Sequence, residues 1–366
     1  MKQISIKPTI YQFKTFKEFL EEFEINGNDI VISSGFIIKN YVDIIKAKMF
    51  DLDNYGEGEP TDLIINKLLV DCNKINYKRI VAIGGGTAID IAKFVALSNG
   101  CEDVNEMYDN KDNLVKYHEL IAIPTTCGTG SEVTGVAVAN RTKINTKQGL
   151  ASPALIPEYA VLIPELLKFL PYKVFATSSI DALIHSIESY LCPIATPYTD
   201  IFAIESIKLI LNAYKKIALN KDSYKDYAEE LLRAANYAGI SFGNASCGTI
   251  HAMSYAFGGK YHVAHGESNY QFLIPVMNYY KKVNPEGKIK DIENVINDIL
   301  DGNGFAGLAQ LLENILHHKP MSEYGAVQDD IKEFAESTVN NQQRLLSKGY
   351  VEMSLEAVQD LYQECL

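Results

Sequence analysis

The first half of the chain alternates short apolar runs with longer amphipathic stretches. Asp29-Ile30-Val31-Ile32-Ser33 is apolar at consecutive positions, the pattern of a strand covered on both faces. A helical stretch is expected next, through Ile44–Met49, and then a loop over Asn54–Pro60. Thr61 and Asp62 supply a cap for a helix whose apolar positions include Ile64, Ile65, Leu68 and Leu69. Arg79–Ile83 is a second strand, stopped by Gly84-Gly85-Gly86, and after Thr87 the period becomes helical through Leu97. Leu120–Ile123 forms a third strand, closed by Pro124, and Ala160–Ile163 is the last. This βαβ alternation predicts a largely parallel sheet with helices on its faces. From about Ser178 onward the period is helical, over 178–191, 199–219, 224–243, 288–301, 304–316, 328–345 and 354–364. The expected organisation is an α/β Rossmann-like domain over residues 1–175 and an all-helical domain over 176–366. A cleft between the two would be the favoured place for a ligand.

Length and charge narrow the function. At 366 residues the chain has room for two domains whose cores need no covalent staples. Asp and Glu number 46 against 34 Lys and Arg, a net charge of -12, which disfavours nucleic-acid backbones and anionic membranes as partners. A small anionic substrate is still compatible with a locally basic pocket. The cysteines at 72, 101, 127, 192, 247 and 365 form no CxxC pair and read as reduced thiols of a cytoplasmic protein. The start, MKQISIKPTIYQFKTF, has neither an apolar run nor a small-residue cleavage site, so no secretory signal is expected. No stretch approaches the roughly 18 apolar residues of a bilayer span.

Two turns carry candidate chemistry. In Ile83-Gly84-Gly85-Gly86-Thr87-Ala88-Ile89-Asp90 a strand passes through glycines into a helix. Without Cβ atoms the backbone can approach an anion, and the helix start offers free N–H groups to a phosphate. A tight turn with no ligand would look the same. Pro124-Thr125-Thr126-Cys127-Gly128-Thr129-Gly130-Ser131-Glu132 adds hydroxyls suited to a diphosphate and a ribose, although Ser131 also reads as a helix cap. Two such turns after parallel strands favour a dinucleotide over a mononucleotide.

Four of the seven histidines gather in two segments. Asp181 and His185 stand at i,i+4, on one face of a helix, as either metal ligands or a surface pair. His251, His262 and His265 lie in an apolar, glycine-broken segment where a buried imidazole needs a partner. One carboxylate with two or three imidazoles suits a divalent transition metal, and a core histidine bonded to a carbonyl is the plain alternative.

Taken in order, GGGTAIDIAK, PTTCGTGSEVT, IDALIHSIESY and HAMSYAFGGKYHVAHGESN resemble the motifs of the iron-containing (group III) alcohol dehydrogenase family. The resemblance implies its dehydroquinate-synthase-like architecture and a metal held by Asp181, His185, His251 and His265. It implies a nicotinamide cofactor, NAD with NADP not excluded, on Gly84, Gly85, Gly86, Thr87 and Asp90 of the first turn. From the second turn it adds Thr125, Thr126, Thr129 and Thr134, with Val138 near the nicotinamide and Lys147 near a ribose. Lys147 otherwise reads as one of the surface lysines of Lys143–Lys147. The metal would be Fe(II) or Zn(II), the reaction a hydride transfer between the cofactor and a primary alcohol or its aldehyde, and the assembly a homodimer. Within the family, GEGEPTD, PYTDIF, YAGISFGNA and QQRLL most resemble members acting on 4-hydroxybutyrate and succinate semialdehyde. A neutral short-chain alcohol or diol is the alternative substrate. A dehydroquinate-synthase-like lyase is the alternative reaction. It is disfavoured because a highly anionic substrate wants many Lys and Arg in the cleft, and 178–192 and 239–270 hold only Lys260.

Two positions depart from the family pattern. Tyr255 stands where many members carry a further histidine that helps to shuttle a proton, which leaves His262 as a substitute. Ser34 stands where many place an aspartate for the adenosine ribose, which loosens the preference for NAD. For a substrate carboxylate the candidates are Lys260, His262, Tyr261, Asn244 and the more distant Arg141, with Lys260 also reading as a solvated loop lysine.

Overall fold

Runs of aliphatic residues closed by glycine, proline or polar caps build a six-stranded parallel sheet in the computed structural model, which describes residues 2–56, 58, 60–144 and 146–366. Glu57 and Glu59 of the GEGEPTD segment lie outside the described residues. The strands are β1 (Thr9–Gln12), β2 (Asp29–Ser33), β3 (Lys48–Asp51), β4 (Arg79–Gly84), β5 (Glu119–Pro124) and, later in the chain, β8 (Tyr159–Leu162). They lie in the order β1-β8-β5-β4-β2-β3. β6 (Val136–Arg141) and β7 (Thr146–Ala151) form a separate antiparallel hairpin. Helices α1 (Phe16–Phe23), α2 (Gly35–Ile38), α3 (Asp62–Cys72), α4 (Gly86–Ala96) and α5 (Val104–Asp109) complete this unit, Ile6–Leu170.

The sheet is buried on both faces, which is why its central strands read as unbroken apolar runs. On β4, Ile80 and Ala82 join one core with α3, α4 and α5, whereas Val81 and Ile83 join the other with Phe16 and Phe19 of α1. Thr61 caps α3 by accepting from the Ile64 N–H at 3.2 Å. The expected helix through Ile44–Met49 is corrected: residues 44–47 are turn and irregular chain, and edge strand β3 begins at Lys48, with Met49 in register with Val31. Only Phe50 of β3 is buried, so the strand is set by pairing with β2 and not by an apolar run of its own.

The second unit comprises Pro171–Leu366 with Met1–Ser5. Its helices are α6 (Tyr172–Leu191), α7 (Pro197–Ile217), α8 (Ala228–Asn244), α9 (Thr249–Tyr261), α10 (His265–Val283), α11 (Lys288–Leu300), α12 (Gly304–Ile315), α13 (Asp330–Asn341), α14 (Gln343–Leu346) and α15 (Leu355–Cys365). α6 is the central helix, packed by α7, α8 and α10, and α9 lies along α10. α9 and α10 run through Gly258, Gly259 and Pro275, residues that break helices in isolation. The Ser5 N–H joins the unit by donating to Asn244 Oδ1 at 2.7 Å. Among the described residues no helix is long and apolar enough to cross a membrane.

Candidate functional site

Three helices bring the predicted ligands together. α6 is buried along most of its length and carries Asp181 and His185 one turn apart, 2% and 4% exposed. His251 lies in the first turn of α9, and His265 is the first residue of α10. Between them α9 closes at His262, whose φ of 54° puts it in the left-handed region. α10 is seated directly on α6: a Cβ on Gly266 would fall onto the carbonyl oxygen of Thr177.

Ligand atoms of Asp181, His185, His251 and His265 lie within 4.8 Å of one another. His185 Nε2 and His251 Nε2 are 3.0 Å apart. Asp181 Oδ1 is 3.7 Å from His251 Nε2 and 3.9 Å from His265 Nε2. His251 Nδ1 lies 2.6 Å from Glu188 Oε2, whose other oxygen accepts from the Ile250 N–H at 2.6 Å. A carboxylate at Nδ1 selects the tautomer with its proton there, so the Nε2 lone pair faces the cluster. Asn269 Nδ2 donates to Asp181 Oδ1 at 2.7 Å and lies 3.1 Å from His251 Nε2 and 3.3 Å from His265 Nε2. His185 Nδ1 and Asn269 Oδ1 are buried with no hydrogen-bond partner. Inward-facing imidazole nitrogens around a carboxylate, with polar atoms left unmatched, form a donor set that fits Fe(II) or Zn(II).

The electrostatics point the same way. Burial works to raise the Asp181 carboxyl, but the three imidazoles and the Asn269 amide outweigh it and hold it at about 2. Burial works to lower His251, yet Cys247 and Glu188 push it well above its ordinary value. The Cys247 thiol, raised by burial, is brought down overall by His251 and His185. A pocket that gathers this much negative potential around imidazoles favours a cation.

Tyr255 is half-buried beside the cluster, its ring stacked at 6.1 Å from that of His265. His262 is exposed and is not among the side chains that gather, because the left-handed turn it makes carries the chain away from α9. Four of the five groups weighed for a substrate carboxylate, all but His262, are engaged elsewhere. Lys260 Nζ pairs with Asp330 and Glu333 at 2.7 Å each, and the Tyr261 hydroxyl donates to Asp330 at 2.6 Å. Asn244 Nδ2 donates to the Ser5 carbonyl, and Arg141 bonds Asn105 and Gln148.

In the α/β unit the two turns meet. Gly84 ends β4, and α4 starts at Gly86 after Gly85, with no side chain capping its N–H groups. A Cβ on Gly86 would lie 2.7 Å from Thr129 Cγ2, and one on Gly85 3.1 Å from Thr126 Cγ2. The Thr125 N–H donates to the Gly84 carbonyl at 3.0 Å. Thr87 is exposed on a cavity of about 270 Å³ that Gly84 and Gly85 also line. Asp90 and Thr134 face other protein groups. Asp90 accepts from Ser131 Oγ at 2.5 Å and from the Val138 N–H at 3.0 Å, and the Thr134 hydroxyl lies 3.3 Å from Lys93 Nζ. Lys93 is fully buried, donating to Ser131 Oγ at 2.7 Å and to the Val136 carbonyl at 2.6 Å. Burial lowers it to about 8. Lys147 is half-buried on β7, in register with Asn140.

Glu188, Asn269, Cys247 and Lys93 do not stand out in the sequence as site residues. Two of them carry a signal there, since Glu188 lies seven residues after Asp181 and Asn269 four after His265, each on its ligand's helical face.

Comparison with known proteins places these features. Residues 8–164 match the model for iron-containing alcohol dehydrogenase, and residues 175–366 match the C-terminal model of the Fe-containing alcohol dehydrogenase family. The 4-hydroxybutyrate dehydrogenase of Clostridium kluyveri is 42% identical over 370 residues, covering all of both chains. Among solved structures, a sulfoacetaldehyde reductase from Bifidobacterium kashiwanohense in complex with NAD+ superposes with a TM-score of 0.86 at 21% identity, over 100% of this chain and 99% of that one. A 1,3-propanediol oxidoreductase superposes with a TM-score of 0.86 at 22% identity, over the whole of both chains. At those identities the likeness establishes the fold.

Proposed function

Because the chain belongs to the iron-containing alcohol dehydrogenase family, we propose that it interconverts 4-hydroxybutyrate and succinate semialdehyde with NAD as cofactor. The observation that carries the reading is the convergence of Asp181, His185, His251 and His265 within 4.8 Å, with Glu188 and Asn269 holding them from behind. Identity of 42% along the whole of a 4-hydroxybutyrate dehydrogenase supports the substrate. Family membership also sets aside the lyase alternative.

A divalent cation on those four side chains supplies Lewis-acid polarisation of the substrate oxygen, and the nicotinamide supplies the hydride acceptor or donor. The chain's own residues do the rest. Glu188 keeps the His251 proton on Nδ1, and Asn269 orients Asp181 by holding Oδ1. Apolar packing along α6, with Phe242 stacked at 4.3 Å on His185, excludes water from that side. Tyr255 brings a phenol O–H to the neighbourhood of His265, where a hydrogen bond to substrate is the role open to it. Gly84, Gly85 and Gly86, with the bare N-terminus of α4, suit the diphosphate. Thr125, Thr126 and Thr129 pack that turn from the second loop, and Lys93 with Asp90 and Thr134 ties the two loops to each other.

A neutral short-chain alcohol is the second reading. It is favoured by the pairing of Lys260, Tyr261 and Arg141 with other protein groups, which leaves those side chains committed. The deciding experiment is an anaerobic assay of metal-stripped protein with Fe(II), Zn(II) or neither, following NADH consumption with succinate semialdehyde and with butyraldehyde. Metal-dependent turnover of succinate semialdehyde is expected. Turnover of butyraldehyde alone would replace the substrate, and no turnover of either by metal- and cofactor-loaded protein would remove the dehydrogenase reading.

A further inference from the structure

The sequence puts Ser34 where an acidic residue for the adenosine ribose would be sought, yet the cavity at the first glycine turn has an acid from another strand. That cavity, about 270 Å³, runs from Gly84, Gly85 and Thr87 to Ser34 and Asp53. Asp53 follows β3, in the short helical turn Leu52–Asn54. It is the one charged residue among the described residues that line the cavity, and no lysine or arginine is among them.

The turn is built to present it. Asp51 caps it, accepting from the Asp53 N–H at 3.1 Å. Asp53 Oδ2 accepts from the Gly35 N–H at 3.2 Å, which anchors one carboxylate oxygen, and among the described residues none bonds the other. Gly35 itself has no room for a side chain, since a Cβ there would fall on the Asp51 carboxylate. The backbone at the C-terminal ends of β2 and β3 is thereby locked around an exposed acid.

We propose that Asp53 is the residue that selects NAD over NADP, by accepting a hydrogen bond from the adenosine ribose and repelling a 2′-phosphate. The inference rests on the dinucleotide reading above, with the diphosphate at Gly84–Gly86. From there the cavity offers Leu52, Pro60, Ile64 and Ile91 as apolar walls for an adenine and Asp53 as the acceptor beside it. A 2′-hydroxyl donates to a carboxylate, whereas a 2′-phosphate carries up to two negative charges and meets another with no cation to offset it. Ser34, just after β2, lines the same cavity as this acid.

The test is dinucleotide binding to wild type, Asp53→Asn and Asp53→Glu, read from NADH and NADPH fluorescence and so independent of metal and substrate. Wild type should prefer NADH by about tenfold or more, and Asp53→Asn should erase about tenfold of that preference, mainly by tightening NADPH. Asp53→Asn keeps an oxygen for the Gly35 N–H, so the turn survives, and Asp53→Glu should retain the preference. NADH binding with a preference unchanged in Asp53→Asn overturns the inference alone. A wild type that binds NADPH as tightly as NADH also overturns it. A wild type that binds neither overturns the inference and the dinucleotide reading together.

Discussion

Replacing Glu188 with glutamine changes one atom of a buried carboxylate and tests the proposed metal centre without touching a ligand. In the native protein Glu188 Oε2 takes the His251 Nδ1 proton at 2.6 Å while Oε1 takes the Ile250 N–H at 2.6 Å. Both side chains are nearly sealed, Glu188 at 2% and His251 at 3% exposure. The amide of Glu188→Gln can satisfy only one of these donors. If its oxygen keeps Ile250, its NH2 faces Nδ1 and drives the imidazole proton to Nε2, the atom that would bind the cation. If it keeps Nδ1, its NH2 confronts the Ile250 N–H, two donors in a space closed to water. The first outcome takes the Nε2 lone pair away from the cation, and the second leaves one buried hydrogen bond unmade, at about 1–3 kcal/mol. Changing the group that orients a ligand in this way weakens metal binding by about tenfold to hundredfold, which is about 1.4–2.8 kcal/mol and agrees with that cost. The assay is competitive titration of metal-free protein with Zn(II) or Co(II) against a chromophoric chelator, with circular dichroism to show that the variant is folded. A folded Glu188→Gln protein whose metal affinity stays within about twofold of wild type would refute the argument.

Other outcomes follow from the same contacts. Gly86→Ala puts a Cβ 2.7 Å from Thr129 Cγ2 and should weaken NADH binding by about tenfold or more, measured by fluorescence, with metal content unchanged. Lys93→Met keeps the length of a fully buried side chain but strips Ser131, the Val136 carbonyl and Asp90 of their cation. It should cost about 3–5 kcal/mol in denaturant unfolding, and a loss below about 1 kcal/mol would contradict the buried network. Asp330, which burial alone would raise, is held at about 2 by Lys260, Tyr261 and the Val327 N–H. Its folded value lies below the unfolded one, so its stabilisation is complete above about pH 4 and disappears as the pH falls through about 2. With Lys260 partly exposed this is about 1–2 kcal/mol, and acid unfolding of Asp330→Asn should lack that component.

The central strands are readable in the sequence because burial on two faces leaves no polar position: Ile80 and Ala82 serve one core, Val81 and Ile83 the other. β3 is not, because Lys48–Asp51 buries only Phe50 and resembles the end of a helix until β2 pairs with it. Glycine and proline hide α9 and α10, where packing against α6 and α13 outweighs local propensity. At the candidate centre, Asp181 and His185 are legible through their i,i+4 spacing. Glu188 and Asn269 carry only their spacing from a ligand, since single polar residues on long helices look solvated until the partner helix covers them. The acid proposed for the ribose is hidden for a different reason: Asp53 reaches the cavity from the turn after β3, a strand the sequence does not announce.

The seat of α10 on α6 has a consequence for how such an enzyme can change. At Gly266 the two helices meet main chain to main chain, with Thr177 admitting no side chain between them. The distance from Asp181 and His185 to His265 is therefore fixed by the backbone, and does not depend on how neighbouring side chains fill their space. Tyr255 and the residues around it can drift in size and polarity while the electrophilic centre stays in place. Mutation can thus explore new alcohols over an unaltered reaction core, which Gly266, a residue with no chemistry of its own, helps to hold in place.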